Sequence, residues 1–381
     1  MKLKTNIKSI EAEIQTDKLL VWSKTPLKIL SSAVLNGGLQ DANRIMIVQV
    51  SEDCGSDIAD EVHNNPENFL RKEASKLNLS PDKVVGLMTA ADLQNAEVTS
   101  RKYEDATLSV LVTAGISCSA TAGDEIASKY GSFRFKELGT INIIVLIDGN
   151  LTESCMVNAV NTITEAKTGA LRELDIRSRF SGDLASGTVT DSVVVACTKR
   201  GCPIKYAGPA TMLGELIGKS VKESVKKVIH KQENLVPNRP LMKRLDERGI
   251  SIADVAALFS QVHPNIRESA EKLGQFTEEL KRVLSDQNIG SLVIAGLRLD
   301  DDAKMDLIPF DAYDEKSVIC GILQNAVADY LSKKDGKSEH IGPDLGSAIG
   351  DKMGFFTRNI LFAVMNSVYS NIVARNSKKH T

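Results

Sequence analysis

The chain has 381 residues, enough for two or three domains, because single hydrophobic cores seldom grow beyond about 250–300 residues. Its hydrophobic share of 42% and charged share of 25% are typical of a soluble globular protein. A net charge of −2 gives no electrostatic reason to expect nucleic acid or an anionic membrane as a partner. No apolar run reaches the roughly 20 residues that would span a bilayer, and the first residues lack the apolar core of a secretory signal. We therefore expect a cytoplasmic protein.

Cysteine and histidine limit the chemistry further. The six cysteines are scattered along the chain, which in the cytosol predicts reduced, buried thiols. No histidine lies between Tyr103 and Ile229, so neither a His-ligated zinc nor a Ser-His-Asp triad can be built within that central region. Only His63, or a residue from another domain, could supply an imidazole there. No cofactor is predicted, and the sequence leaves the need for a metal open.

The first elements along the chain are strands. Apolar runs at Lys18–Trp22 and Leu27–Leu35 predict two strands, and the second ends at the turn signal Asn36-Gly37-Gly38. The run Arg44–Val50 completes a predicted hairpin. A helix is predicted over Asn65–Leu79, because its apolar residues recur on one face.

Three almost continuous apolar runs follow. Strands that are apolar on both faces belong in the middle of a layered sheet covered by helices; the runs are Lys83–Ala91, Leu108–Gly115 and Ile141–Gly149. A long helix with Thr152 as its N-cap, a strand over Ser192–Cys197 and an amphipathic helix after Pro209 complete this part. These patterns predict the α/β class, with a layered sheet that the early hairpin suggests is mixed.

The composition changes at Lys231–Pro240, where two prolines stand among polar residues, and we place a domain boundary there. The predicted domains are residues 1–232 and an all-α domain over residues 241–374. The second domain shows helical periodicity throughout. Ser251, three residues before Asp254, has the spacing of an N-cap.

Polar residues stand at the ends of the predicted strands, where a rigid sheet can position functional groups. Carboxylates, hydroxyls and glycine amides without histidine suit hydrolysis of a neutral bond, with one carboxylate activating water. The candidate catalytic residues are Asp191, Glu215 and Thr190, and the candidate substrate-binding residues are Asn36, Gly37, Gly38, Thr89, Thr113, Asn142, Glu165, Lys167 and Thr188.

Each candidate also has a purely structural interpretation. Asn36-Gly37-Gly38 on its own is more often a hairpin turn, and Asp191 can bond its own turn. Glu165 and Lys167 are two residues apart, so they do not face each other on one helix. Glu215 can simply favour a helix N-terminus. The residues alone favour nothing more specific than a cytosolic α/β hydrolase.

The order of the motifs adds a resemblance. From about Lys18 to Val228 the chain resembles the adenosylcobinamide amidohydrolase family, and the motifs that carry this are LSSAVLNGGL, VGLMTAA, VTAGISCSATAGD, GTINIIVLIDGNLTESCMVNAVNTITEAKTGAL, SGTVTDSVVVAC and YAGPATMLGELIGKSV. The resemblance implies hydrolysis of the amide that joins aminopropanol to the corrin ring of adenosylcobinamide. The products would be adenosylcobyric acid and 1-amino-2-propanol, in cobinamide salvage for cobalamin synthesis by archaea and some bacteria.

The resemblance implies that the polar ends of the Ser192–Cys197 strand form a corrinoid amide pocket, with Asp191 or Glu215 as the base. Cys118 and Pro209 depart from the family pattern, which has Asn and Thr there. The expected partner is the small-molecule substrate, with no nucleic acid or membrane, and a homo-oligomer is compatible with the sequence. The rival hypothesis is a corrinoid carrier without catalysis.

The C-terminal region is similar to archaeal α-ribazole-5′-phosphate phosphatases, all-helical relatives of phosphatidylglycerophosphatase A, in RLDERGISIADVAALFSQV, LVIAGLRLDD and IGPDLGSAIGDKMG. Such metal-dependent phosphatases need clustered carboxylates. The expected acidic positions hold Cys320, Gly321, Gly346 and Ser347, while Asp344 and Asp351 are out of register. This predicts a structural or regulatory domain that has lost activity. The alternatives are an unrelated helical domain and a bifunctional protein.

Overall fold

The computed structural model describes residues 1–50, 61–103, 106–126, 139–308, 318–335 and 353–377. The chain divides into two compact units, Met1–Pro237 and Asn238–Thr381. The first is a mixed sheet with helices and the second is helical, as the sequence predicted. None of the helices in the described ranges combines the length and apolar character needed to cross a membrane.

The described strands of the first unit are β1 (Lys2–Leu3), β2 (Ile10–Gln15), β3 (Lys18–Ser31), β4 (Gly38–Gln49), β5 (Val84–Thr89), β6 (Glu97–Tyr103), β7 (Ala106–Ala114), β8 (Ser119–Ala120), β9 (Ile141–Asp148), β10 (Asn150–Leu151), β11 (Gly187–Thr188), β12 (Ser192–Cys197) and β13 (Pro203–Ile204). The main sheet runs in the order β1-β2-β3-β12-β9-β7-β6, and β4 pairs with both β3 and β5. Short pairs form between β10 and β13 and between β8 and β11.

The predicted hairpin is confirmed, with one difference. β3 and β4 pair antiparallel from Lys18 opposite Val48 to Ser31 opposite Gly38, so the two strands predicted before the turn are one long strand. An irregularity between Trp22 and Leu27 breaks the register inside it. Because β4 pairs parallel with β5, and β9 pairs parallel with β12, the sheet is mixed as predicted.

The apolar runs are buried on both faces because the long sheet folds over itself. Ile144 and Leu146 of β9 lie in an inner core with residues of β2, β3, β4 and β5. Their neighbours Ile143 and Val145 lie in an outer core against two helices. The layered, mixed sheet covered by helices is therefore as predicted, with one detail added: helices cover one face of these strands, and the other half of the sheet covers the opposite face. The apolar pattern of the sequence does not show whether a helix or another part of the sheet packs on a given face, since both present apolar side chains.

The long helices of the first unit, within the part of the chain that the structure describes, are α1 (Pro66–Lys76), α2 (Glu153–Glu173) and α3 (Met212–Glu233). The predicted N-cap Thr152 accepts a hydrogen bond from the Cys155 amide at 3.2 Å. α1 is joined to the sheet by a buried ion pair between Lys18 and Glu73, 2.9 Å apart. Burial opposes the charge on Lys18, but hydrogen bonds from its ammonium to Asp17 and Glu73 outweigh that effect and raise the pKa of Lys18.

The second unit contains, in the ranges described, α4 (Leu241–Asp246), α5 (Ile252–Val262), α6 (Pro264–Arg267), α7 (Ala270–Leu284), α8 (Gln287–Lys304), α9 (Val318–Asp335) and α10 (Phe355–Ser377). Ser251 caps α5 as predicted. Asp286 caps α8, and hydrogen bonds from Lys334 and other donors hold the pKa of its carboxyl at about 2. Asp300 accepts hydrogen bonds from the amides of Phe356 and Thr357 in the first turn of α10.

A close helix crossing in the second unit gives a stability prediction. A Cβ at Gly296 would lie 2.6 Å from Cδ1 of Ile360 and 3.2 Å from Cα of Thr357, whereas one at Gly274 would meet nothing within 4 Å. Gly296→Ala should destabilise the protein, because overpacking costs about 1–3 kcal/mol against a gain of about 1 kcal/mol in helix propensity. Gly274→Ala should stabilise it through propensity alone. Urea unfolding of both variants measures the difference in their free energies of unfolding. If both variants were more stable than the wild type, α8 and α10 would not pack as closely at Gly296 as described.

Candidate functional site

A cleft of about 280 Å³ lies where the carboxyl ends of β4 and β5 meet the amino ends of β9 and β12. Four hydroxyl side chains and one imidazole share it with apolar residues. Its lining residues in the described part of the chain are Val34, Val50, Val62, His63, Pro66, Met88, Thr89, Ala90, Thr140, Thr190 and Ser192. Small-molecule sites combine an apolar surface with a few polar groups in this way.

The hydroxyls of the cleft differ in how firmly they are held. Thr140 donates to the carbonyl oxygen of Thr190 at 2.8 Å, which fixes the two loops together. Thr190 and Ser192 donate only across 3.4 and 3.5 Å, at the outer limit of a hydrogen bond. Thr89 accepts from the amide of Ala91 at 3.1 Å, which leaves its own proton to donate. Three hydroxyls can therefore turn toward a ligand.

Asp191 lies between Thr190 and Ser192 in the chain but lines a different hollow. Successive side chains of an extended strand point to opposite faces, and Asp191 and Val193 line a second hollow of about 370 Å³ with residues of β3 and α2. There Asp191 forms a buried ion pair with Lys167 of α2. Its carboxylate also accepts from the Ile141 amide at 3.0 Å.

Thr188 completes the partners of this carboxylate, through its amide at 3.1 Å and its hydroxyl at 2.5 Å. Each oxygen of Asp191 thus accepts two hydrogen bonds. Oδ1 accepts from the Ile141 amide and the Thr188 hydroxyl, and Oδ2 accepts from the Lys167 ammonium and the Thr188 amide. Gly187 makes room for the pair, because a Cβ there would lie 2.7 Å from the Lys167 ammonium and closer still to the carboxylate. The motif SGTVTDS is therefore built around a saturated, buried ion pair.

Two more predicted residues lie behind the cleft. Asn142 and Thr113 are each about 1% exposed, at facing positions on β9 and β7. The amide of Asn142 donates to the carbonyl oxygen of Met88 at 2.8 Å and to the Thr113 hydroxyl at 3.5 Å. These residues fix the end of β5, whose residues Met88 and Thr89 line the cleft.

The predicted glycine-rich turn has a structural role in the described fold. The Asn36 amide donates to the carbonyl oxygens of Pro81 and Val84, both at 2.7 Å, and its φ of 51° is left-handed. Gly38 also has a positive φ, of 88°, as the hairpin requires. Neither these residues nor Gly37 line the cleft, although Val34 from the same segment does.

Glu165 and Glu215 lie elsewhere. Both line a groove between α2 and α3, together with Gly169 and Lys222. Glu215 is about half exposed and pairs with Lys219 one helical turn later. The predicted site residues are therefore divided over several places: Thr89 and Thr190 in the cleft, Asp191, Lys167 and Thr188 behind it, and the two glutamates in a groove.

Sequence reasoning missed three polar residues of the cleft: His63, Thr140 and Ser192. The strand signal could have revealed Ser192, because a residue two positions from Thr190 shares its face. Thr140 directly precedes the apolar run that begins at Ile141, so its position at a strand end could also have revealed it. His63 lies outside every motif that carried the resemblance, and only the fold places it beside them.

None of the described thiols lines the cleft, so none is placed to act as a nucleophile there. Burial raises the pKa of Cys155 to about 11, helped by the neighbouring Cys197. Cys118 and Cys197 are also buried, as predicted, whereas Cys202 is exposed and Cys54 lies outside the described residues. The described ranges contain no group of three His, Cys, Asp or Glu side chains placed to hold a metal ion.

The first unit is thus an α/β protein with a small, hydroxyl-lined cleft at the ends of its strands. The family profile for adenosylcobinamide amidohydrolase matches residues 2–237, nearly the whole of this unit, and the chain belongs to that family. Family membership supports a hydrolase with an adenosylcobinamide amidohydrolase role.

Two curated relatives agree in extent. An adenosylcobinamide amidohydrolase of Methanosarcina mazei is 34% identical over 172 residues, 42% of this chain and 74% of the relative. An uncharacterized protein of Methanocaldococcus jannaschii is 34% identical over 190 residues, 46% of this chain and 74% of the relative. The solved PH0078 protein of Pyrococcus horikoshii aligns with 60% of this chain and 79% of its own at 11% identity, but its TM-score of 0.30 supports no comparison.

The buried ion pair gives a stability prediction. Asp191→Asn leaves the Lys167 ammonium buried without a counter-charge, which costs about 3–5 kcal/mol of unfolding free energy. Adding Lys167→Met should recover part of that loss, because the unpaired charge is then gone. Urea unfolding of the two single variants and the double variant measures the coupling.

The exposed pair Glu215–Lys219 supplies a matched control. Glu215→Gln and Lys219→Met should each change the unfolding free energy by no more than about 1 kcal/mol, because exposed ion pairs contribute little. A cost for Asp191→Asn as small as this would contradict the buried-pair interpretation.

Proposed function

We propose that the first unit hydrolyses the amide that joins aminopropanol to the corrin ring of adenosylcobinamide. The products are adenosylcobyric acid and 1-amino-2-propanol, and the reaction serves salvage of incomplete corrinoids. The proposal draws on the family membership over residues 2–237 and on the cleft. The position at which the substrate binds is inferred from the chemistry of the residues that line the cleft.

One observation carries the proposal. Four of the segments that line the cleft lie within motifs that carry the resemblance, and only Val50 and the segment from Val62 to Pro66 lie outside them. The four are Val34, then Met88 to Ala90, then Thr140, then Thr190 and Ser192. These segments are up to 158 positions apart, from 34 to 192, yet they face one hollow. A family-wide pattern whose scattered parts converge on one cleft is best explained by a ligand bound there.

The size of the cleft suits one part of the substrate. Its volume of about 280 Å³ is just below the usual range for small-molecule sites, about 300–1,000 Å³. A side arm of the corrinoid fits such a space, and the macrocycle, which is much larger, stays at the mouth. The scissile amide then meets the hydroxyls of Thr89, Thr190 and Ser192, which can both donate to its oxygen and accept from its N–H.

The ion pair behind the cleft acts in this scheme by positioning. Asp191 fixes the amide of Ile141 and both donors of Thr188, and so holds the two loops that carry Thr140 and Thr190. To act as the general base predicted from sequence, Asp191 would first have to break one of its four hydrogen bonds. Glu215 would have to act from the groove between α2 and α3.

Purified full-length protein incubated with adenosylcobinamide should release 1-amino-2-propanol and form adenosylcobyric acid, both quantified by mass spectrometry. Release should be stoichiometric with adenosylcobyric acid, since one amide is cleaved per substrate. A heat-denatured sample serves as the control. Tight binding of the corrinoid without release would instead favour the carrier.

For the second unit we propose a structural or regulatory role without phosphatase activity. In α9 the expected acidic positions hold Cys320, which is buried, and Gly321. The other two expected positions, Gly346 and Ser347, and also Asp344 and Asp351, lie outside the described residues. Asp286 and Asp300, two acidic residues of the described helices, are engaged in capping α8 and α10.

The full-length protein should release no phosphate from α-ribazole 5′-phosphate in the presence of Mg²⁺, because the carboxylates expected to hold the ion are replaced. A phosphate-release assay with a commercial phosphatase as the positive control measures this. Release above the rate of a protein-free blank would establish the bifunctional alternative.

A further inference from the structure

We propose that His63 is the general base and then the general acid of the amide hydrolysis, a catalytic residue that the family resemblance does not assign. The proposal rests on the proposed function. It follows from the composition of the cleft. Among the described residues that line it, His63 alone carries an imidazole, the side chain that most often serves as a general base and general acid; the others are hydroxyls, apolar residues and a proline.

The carboxylates considered from sequence are placed less well for this task. Asp191 lines the second hollow and spends all its hydrogen-bonding capacity on Lys167, Thr188 and the Ile141 amide. Glu215 lies in the groove between α2 and α3. Cleavage of an amide at the hydroxyl-lined cleft needs a proton acceptor among the residues that line the cleft, and His63 fulfils that condition.

The backbone on both sides of His63 is fixed by its neighbours. Val62 is buried in the core beneath α1, and Asn65 caps α1 through the amide of Asn68. Glu61 accepts from the side-chain amide of Asn68 at 2.8 Å and pairs with Lys72 at 2.6 Å.

The helix that carries these partners is itself tied to the sheet. The buried ion pair between Lys18 of β3 and Glu73 of α1 holds α1 against the strands. His63 is therefore an exposed imidazole on an anchored helical turn at the rim of the cleft. A base at the rim can reach water and substrate together, which a buried one could not.

The chemical step balances without a further reactant. A water molecule attacks the carbonyl carbon of the side-arm amide while the His63 imidazole takes one proton from it. The developing oxyanion accepts hydrogen bonds from cleft hydroxyls. The carbon–nitrogen bond then breaks, and the imidazolium returns its proton to the leaving nitrogen. One amide and one water give one carboxylic acid and one amine.

Aminopropanol release from adenosylcobinamide by full-length His63→Gln tests the proposal against His230→Gln. His230 is exposed on α3 of the same unit, so its replacement controls for loss of an imidazole. We expect His63→Gln to lower kcat by at least about 10²-fold, the usual contribution of a general base, and His230→Gln to leave it unchanged.

Two further readouts separate catalysis from structure. His63→Gln should lower kcat while leaving KM close to the wild-type value, because the imidazole acts on the reacting atoms and not in holding the substrate. In His63→Ala, added imidazole should restore part of the rate, because the exposed position leaves room for it. Circular dichroism checks that both variants are folded.

The outcomes separate the two proposals. If the wild-type protein releases aminopropanol and His63→Gln does so at a similar rate, the assignment of His63 is wrong and the proposed function stands. A folded His63→Ala that stays slow without any rescue by imidazole also overturns the assignment as a base. If the wild-type protein releases none, the proposed function fails and the role of His63 fails with it.

Discussion

The buried ion pair between Lys167 and Asp191 is the interaction on which the candidate site depends. Two charges removed from water are unfavourable unless their remaining hydrogen-bonding groups are satisfied, and Asp191 meets this condition with four donors. Those donors come from α2, from Thr188 of β11 and from the first residue of β9. The pair therefore joins three separate parts of the unit at one point, and the hydroxyl wall of the cleft lies directly in front of it.

Much of the fold could be predicted from the sequence because most elements leave a local signal. The strand Ser192–Cys197 has the predicted bounds, and Thr152 and Ser251 cap the helices as expected. β6, with the sequence EVTSRKY, was missed because six of its seven residues are charged or hydroxyl-bearing. What covers each face of the central strands could not be predicted, since an apolar face packs equally well on a helix or on another part of the sheet.

The site was predictable only in part, for reasons of geometry. Strand ends directed attention to Thr89 and Thr190, which line the cleft. Adjacent residues of a strand face opposite sides, however, so Asp191 was grouped with neighbours whose hollow it does not share. Glu165 and Lys167 line different hollows because residues two positions apart on a helix point in different directions. The sequence offered His63 as an imidazole for the central region but did not place it, because nothing in its immediate sequence shows that the turn before α1 lies beside β9 and β12, which begin 78 and 129 residues later.

The folding of the sheet over itself has a consequence for when the protein acquires its site. The cleft has no local precursor: its walls come from β4, β5, β9 and β12, and the last of these ends at Cys197. A nascent chain that ends before β12 can form secondary structure but lacks one wall of the cleft. Pairings between such distant segments form late and slowly. The cleft should therefore form in one step, when folding of the first unit is nearly complete, and no shorter chain should contain it.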